Sequence, residues 1–121
     1  MKYESIGRTN TKISKINLGC MSFGSKLDWM IELDDAKPII DCALDLGITF
    51  FDTANAYSNG RSEEILGNLL KDCRNDVIIG TKVRYPMGNN PNDVGLSQDQ
   101  INKQIDKSLE RLQTKFVDLY Q

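Results

Sequence analysis

The sequence predicts a parallel α/β fold, and within that class the first half of an eight-stranded (β/α)8 barrel. The expected content is an N-terminal hairpin, four parallel strands and three helices. Three observations carry this. Four short apolar runs recur along the 121 residues, and the three segments between them have helical periodicity. Such alternation builds βαβ units on a parallel sheet. The runs start 32, 29 and 39 residues apart, near the about 31 residues per unit of a barrel that needs ~250 residues in all. Residues 1–121 are therefore expected to be a single, incomplete domain. A complete four-stranded open sheet is the alternative.

Taken in order, Tyr3–Ile6 and Lys12–Ile16 flank Gly7-Arg8-Thr9-Asn10 and form a hairpin able to cover one end of a sheet or barrel. The parallel strands are Ile16–Gly19, Ile48–Phe51, Val77–Gly80 and Phe116–Tyr120, each expected to be buried on both faces. The first helix opens near Asp34-Asp35, carries Ile39, Ile40, Ala43, Leu44 and Leu46, and stops at Gly47. Pro38 is expected in its first turn. The second opens at Ser62, a capping hydroxyl followed by Glu63 and Glu64, with Ile65, Leu66, Leu69 and Leu70 inward. The third opens with the capping box Ser97-Gln98-Asp99-Gln100 and turns Ile101, Ile105, Leu109 and Leu112 to the core.

Composition removes several functions. Fifteen Lys+Arg against seventeen Asp+Glu give a net charge of −2, with no basic face for nucleic acid or a membrane surface. With no histidine, a His-assisted triad, a His-bearing zinc site and a His general base are excluded within this chain. Cys20, Cys42 and Cys73 are odd in number, widely spaced and outside any C-x-x-C, so they are expected as thiols rather than a bridge or metal site. No signal peptide and no membrane span is visible. The expected location is cytoplasmic.

The informative departures from apolarity lie at strand ends. Asp52 directly follows the second parallel strand and Lys82 follows the third. An isolated charge there would cost several kcal/mol, so opposite charges on neighbouring strands suggest a pair. The carboxyl ends of parallel strands are also where active sites collect. A purely structural ion pair, or two solvated loop charges, would leave the same pattern. Tyr57, five residues past Asp52, favours chemistry. A phenol is a weak acid at neutral pH, and an adjacent Lys82 ammonium would favour the phenolate while Asp52 keeps Lys82 charged and placed. The three together make a tuned proton donor.

At these residues the sequence resembles the aldo-keto reductase superfamily, in the bacterial and archaeal branch related to potassium-channel β subunits. The likeness runs through Tyr3–Thr9, Leu18–Gly24, Gly47–Tyr57, Ser62–Gly67, Gly80–Val83, Ser108–Leu112 and Val117–Gln121. It implies a barrel that reduces aldehydes or ketones with NADPH, without a metal. Tyr57 would be the general acid, Lys82 would support it and Asp52 would anchor Lys82. Gly19, Cys20 and Met21 would lie near the nicotinamide. Long loops bearing Trp29 and Tyr85–Leu96 would border a small-molecule carbonyl substrate; Trp29 could equally be a packing aromatic.

The family's catalytic His, expected just past Leu119-Tyr120-Gln121, and most of its cofactor grip fall outside these residues. The expectation is therefore a truncated reductase, inactive alone. A non-enzymatic half-barrel that serves as an assembly or partner-binding module is the alternative. Open strand edges should make it self-associate or leave it partly molten. A phosphoacceptor-type signalling domain would need an acidic cluster near the first parallel strand, which is missing.

Overall fold

The apolar runs become strands and the periodic segments become helices in the computed structural model, which describes residues 1–121. A hairpin comes first, with β1 (Tyr3–Ser5) antiparallel to β2 (Lys12–Ser14) and Tyr3 opposite Ser14. Then β3 (Asn17–Gly19), β4 (Phe50–Asp52), β5 (Ile78–Thr81) and β6 (Leu119–Tyr120) form one parallel sheet in chain order. The crossovers carry α1 (Leu33–Asp45), α2 (Arg61–Leu70) and α3 (Gln98–Arg111). Right-handed crossovers that always step to the next strand stack every helix on one face. That is the winding of a barrel wall, and it sets aside the open doubly wound sheet.

Period-two alternation then assigns the two faces. Phe51 and Ile79 point into the helical layer, where they are fully buried with Ile40, Ile65, Leu66, Leu70 and Leu112. The opposite face carries Asn17, Phe50 and Ile78 in one layer and Gly19, Asp52, Gly80 and Leu119 in the next. The expectation of strands buried on both faces is corrected here. Only β5 approaches it, whereas β3 and β6 are edge strands and half-exposed. Except for β5, the strands are also shorter than the apolar runs that announced them.

Four local expectations need correcting too. Pro38 lies in the second turn of α1, and it and Asp34, whose carbonyl its missing N–H would have bonded, are both exposed residues. Gly60, left-handed at φ 97°, precedes α2 with no side-chain cap, so Ser62 is already inside the helix and its hydroxyl is used elsewhere. Ser97 does cap α3, accepting from the Gln100 N–H at 3.2 Å. The reciprocal arm of that capping box is not made, because the buried Gln100 amide has no partner. The buried stripe of α3 is Gln100, Gln104, Ser108 and Leu112, while Ile101, Ile105 and Leu109 are half-exposed. The helix is rotated about one position from its apolar stripe because Gln104 reaches Asn55 at 3.3 Å beneath the sheet's carboxyl end.

Candidate active site

The sheet ends on a polar layer. Gly19, Asp52 and Gly80 are in register, and Lys82 emerges two residues later on β5's exit. The Lys82 ammonium donates to Asp52 Oδ2 at 2.6 Å and to the Thr53 carbonyl at 2.8 Å. The other carboxylate oxygen of Asp52 accepts from the Gln121 side-chain amide at 3.3 Å. The pair is partly shielded, with the two side chains 30% and 22% exposed. It is therefore an ion pair that water screens only in part, and the two opposite charges expected at the strand mouths do meet.

Tyr57 arrives by a tight return. Its N–H donates to the Ala54 carbonyl, and a short 3-10 turn, Tyr57–Gly60, follows. Within that turn Ser58 and Asn59 take left-handed backbone at φ 47° and 54°, ahead of Gly60. Non-glycine residues adopt that region at a cost and hold it when neighbours fix them. Here the first loop does so. Ser58 Oγ donates to the Met30 sulfur at 3.0 Å, and a Cβ on Gly24 would lie 2.1 Å from Ser58 Oγ. The Lys82 ammonium consequently sits 5.1 Å from the centroid of the Tyr57 ring, within cation–π range.

The first loop contains the remaining expected residues. Gly19 opens to empty space on its Cβ side, and Met21 is exposed. Cys20 is different, since its side chain is fully buried. Burial, and next the Asp52 charge, push its thiol up to about 12. It is a packing thiol, and its backbone is tied to Asp52 and Ser62. Trp29 and Tyr85 are exposed on the two long loops.

Sequence reasoning missed Gln121 and the Thr53 carbonyl. Periodicity is blind to a backbone acceptor. The register of β5 with β6, by contrast, would have brought Gln121 into the Lys82 layer.

A singly wound parallel βα wall with a carboxylate, an ammonium and a phenol at its carboxyl-terminal mouth defines a barrel-type α/β protein with a polar site. The comparisons with known proteins narrow this. The aldo/keto reductase family model matches residues 15–121. The "probable voltage-gated potassium channel subunit beta" of Arabidopsis thaliana is 38% identical over 98% of this chain and 36% of its own. The versiconal hemiacetal acetate reductase of Aspergillus parasiticus is 37% identical over all of this chain and 41% of its own. The holo form of an aldo-keto reductase from Bacillus halodurans superposes with a TM-score of 0.81 at 34% identity, over 99% of this chain and 39% of that one. The chain belongs to the aldo/keto reductase family, and it spans well under half the length of these relatives.

Proposed function

We propose that residues 1–121 carry the proton-donating side of a carbonyl reductase site and form the N-terminal half of its barrel, with an aldehyde or ketone as substrate and NADPH as reductant. The observation that supports this most is the convergence of Asp52, Lys82 and Tyr57 at adjacent strand mouths. When bound, the dihydronicotinamide supplies the hydride. The residues present fit its ring end, because open space lies beside Gly19, which is in register with Asp52 on the neighbouring strand, with the exposed Met21 at its border.

The protein's own part is proton delivery. Tyr57 gives its hydroxyl proton to the carbonyl oxygen as negative charge develops there. The Lys82 ammonium beside the ring stabilises the phenolate left behind. Asp52 fixes Lys82, so the ammonium is already in place when the proton moves. The exposed Trp29 and Tyr85 are positioned on loops of a length that commonly serves binding.

Tyr57→Phe tests the reading. In the complete barrel, turnover of an aldehyde, followed by nicotinamide absorbance, should fall about 10²- to 10⁴-fold. Cofactor affinity, read by nicotinamide fluorescence, should stay the same. An unchanged kcat would remove Tyr57 from the chemistry. A second reading, a barrel wall that serves assembly, is favoured by the channel-subunit relative. Micromolar NADPH binding by the 121-residue chain would count against that second reading.

A further inference from the structure

The hydroxyl of Ser62 does not cap α2, and its destination has a consequence for the ion pair. Ser62 is fully buried, and its Oγ donates to the Cys20 carbonyl at 2.7 Å. A second hydroxyl, Thr53 Oγ1, lies 2.8 Å from the same oxygen. A carbonyl can only accept, so the one proton of Ser62 is committed to Cys20 and the Thr53 hydroxyl must donate to Ser62. A directional chain therefore runs Thr53 to Ser62 to Cys20. It ties the mouths of β3 and β4 to the first turn of α2.

Thr53 is also the residue whose carbonyl receives Lys82. Its own N–H donates to the Gly80 carbonyl at 2.9 Å, and the preceding Asp52 carbonyl accepts from the Cys20 N–H at 2.8 Å. The 52–53 peptide is held at both its N–H and its carbonyl, and the Thr53 side chain is held by Ser62, so the Thr53 Cα has a fixed place from which its own carbonyl, in the next peptide, reaches the ammonium. Asp52 supplies charge but only one acceptor. The Thr53 carbonyl supplies the second direction, and two acceptors determine where the ammonium sits against the Tyr57 ring.

We infer that Ser62 is a positioning residue for Lys82, acting through Thr53. The purpose of that positioning rests on the carbonyl-reductase reading; the positioning itself does not. The test is accordingly free of cofactor and substrate. In the 121-residue chain labelled with ¹⁵Nζ-lysine, the Lys82 ammonium signal is identified by its loss in Lys82→Arg, and its proton exchange with water is measured. Ser62→Ala should speed that exchange about tenfold, the effect of losing one directed hydrogen bond to a charged group. Thr53→Val should do the same, and Thr53→Ser, which keeps the hydroxyl, should restore the slow exchange.

Ser62→Ala also lowers the melting temperature, but a merely structural serine would do only that. Unchanged Lys82 exchange in folded Ser62→Ala overturns the inference. Where Ser62→Ala does not fold, Thr53→Val decides the matter in the same way, and equal exchange in Thr53→Val and Thr53→Ser overturns it. An inactive Tyr57 would leave this result untouched, so the two failures are distinguishable.

Discussion

At the scale of single residues, the three thiols report their surroundings most directly. Cys20 is fully buried and its thiol is pushed up to about 12, first by burial and then by the Asp52 charge. Near neutral pH it therefore stays a thiol, and the thiolate is the reactive form. Cys73 is half-buried, with its thiol raised by burial and then by the charges of Asp76 and Asp72. Cys42 is exposed on α1. An Ellman titration of the folded chain should therefore give one fast thiol, Cys42, one slow thiol, Cys73, and a third that appears only in denaturant. Fast labelling of Cys20, read by mass spectrometry, would contradict the packing described for the first loop. The sequence showed that these thiols were not paired by motif, but not which one was sealed. Cys20 is sealed because β3 delivers it beneath the loop that returns through Phe23 and Ile31, a tertiary event that no local pattern records.

Elements are joined by buried charge more than the apolar periodicity suggests. Glu63 of α2 is fully buried, accepting from Arg111 Nε of α3 at 2.6 Å and from Thr81 Oγ1 of β5 at 2.5 Å. A Cβ on Gly60 would lie 2.6 Å from Arg111 Cδ and 2.9 Å from its Nε, so glycine there makes room for the clasp. Removing one partner of a buried pair strands the other charge. Arg111→Met should destabilise by about 3–5 kcal/mol in urea unfolding, and adding Glu63→Gln should recover most of that. An effect below ~1 kcal/mol, typical of surface pairs, would show that water reaches the clasp.

The loop between β5 and α3 has its own clasp. Asp93 accepts from Lys103 Nζ at 2.7 Å and from the backbone and side chain of Asn90. The Lys103 bond first, and then the Asn90 donors, hold its carboxyl below the usual carboxylate range. A depressed value contributes stability above the unfolded reference of ~3.9, lost as pH falls through the folded one. Hydrogen exchange of the Met87 and Asp93 amides should therefore quicken only below about pH 4, and Lys103→Met should move that onset upward. These clasps explain where legibility stopped. Ile65, Leu66 and Leu70 follow the period and were readable, as was the Ser97 cap. The rotation of α3 onto Gln100, Gln104 and Ser108 was not, because its cause is a long-range polar partner, Asn55. Of the candidate site, Asp52, Lys82 and Tyr57 were readable because charge and phenol interrupt an apolar rhythm. The Thr53 carbonyl and the Ser62 hydroxyl were not, since one is backbone and the other imitates a cap.

For the whole molecule the governing fact is a curved wall whose strands run in chain order and do not close. The outer edges of β3 and β6 pair with no other strand. Beside the β3 edge, Leu18, Pro38, Ile39, Cys42, Ala43, Leu46 and Ile48 line a groove of about 380 Å³ that is almost wholly apolar. Leu46 is 63% exposed and Ile16 59%. The accessible surface is 7431 Å², about 800 Å² above the ~6,600 Å² that size scaling gives for a compact chain of this mass. That excess equals one partner's share of a standard interface, and apolar grooves beside open strand edges are places where chains meet. The isolated 121-residue chain should consequently self-associate. Sedimentation velocity should show a weight-average coefficient that rises with concentration through the micromolar range. Leu46→Lys, which puts a charge in the groove and spares the strand-mouth site, should shift the chain toward monomer. Salt at 0.5 M should leave association intact or strengthen it, because apolar contact, unlike the exposed Lys37–Asp41 pair on the same helix, is not screened. A sharp monomer at every concentration would mean that the edges are protected by the wall's own twist, and that half a wall is a finished surface.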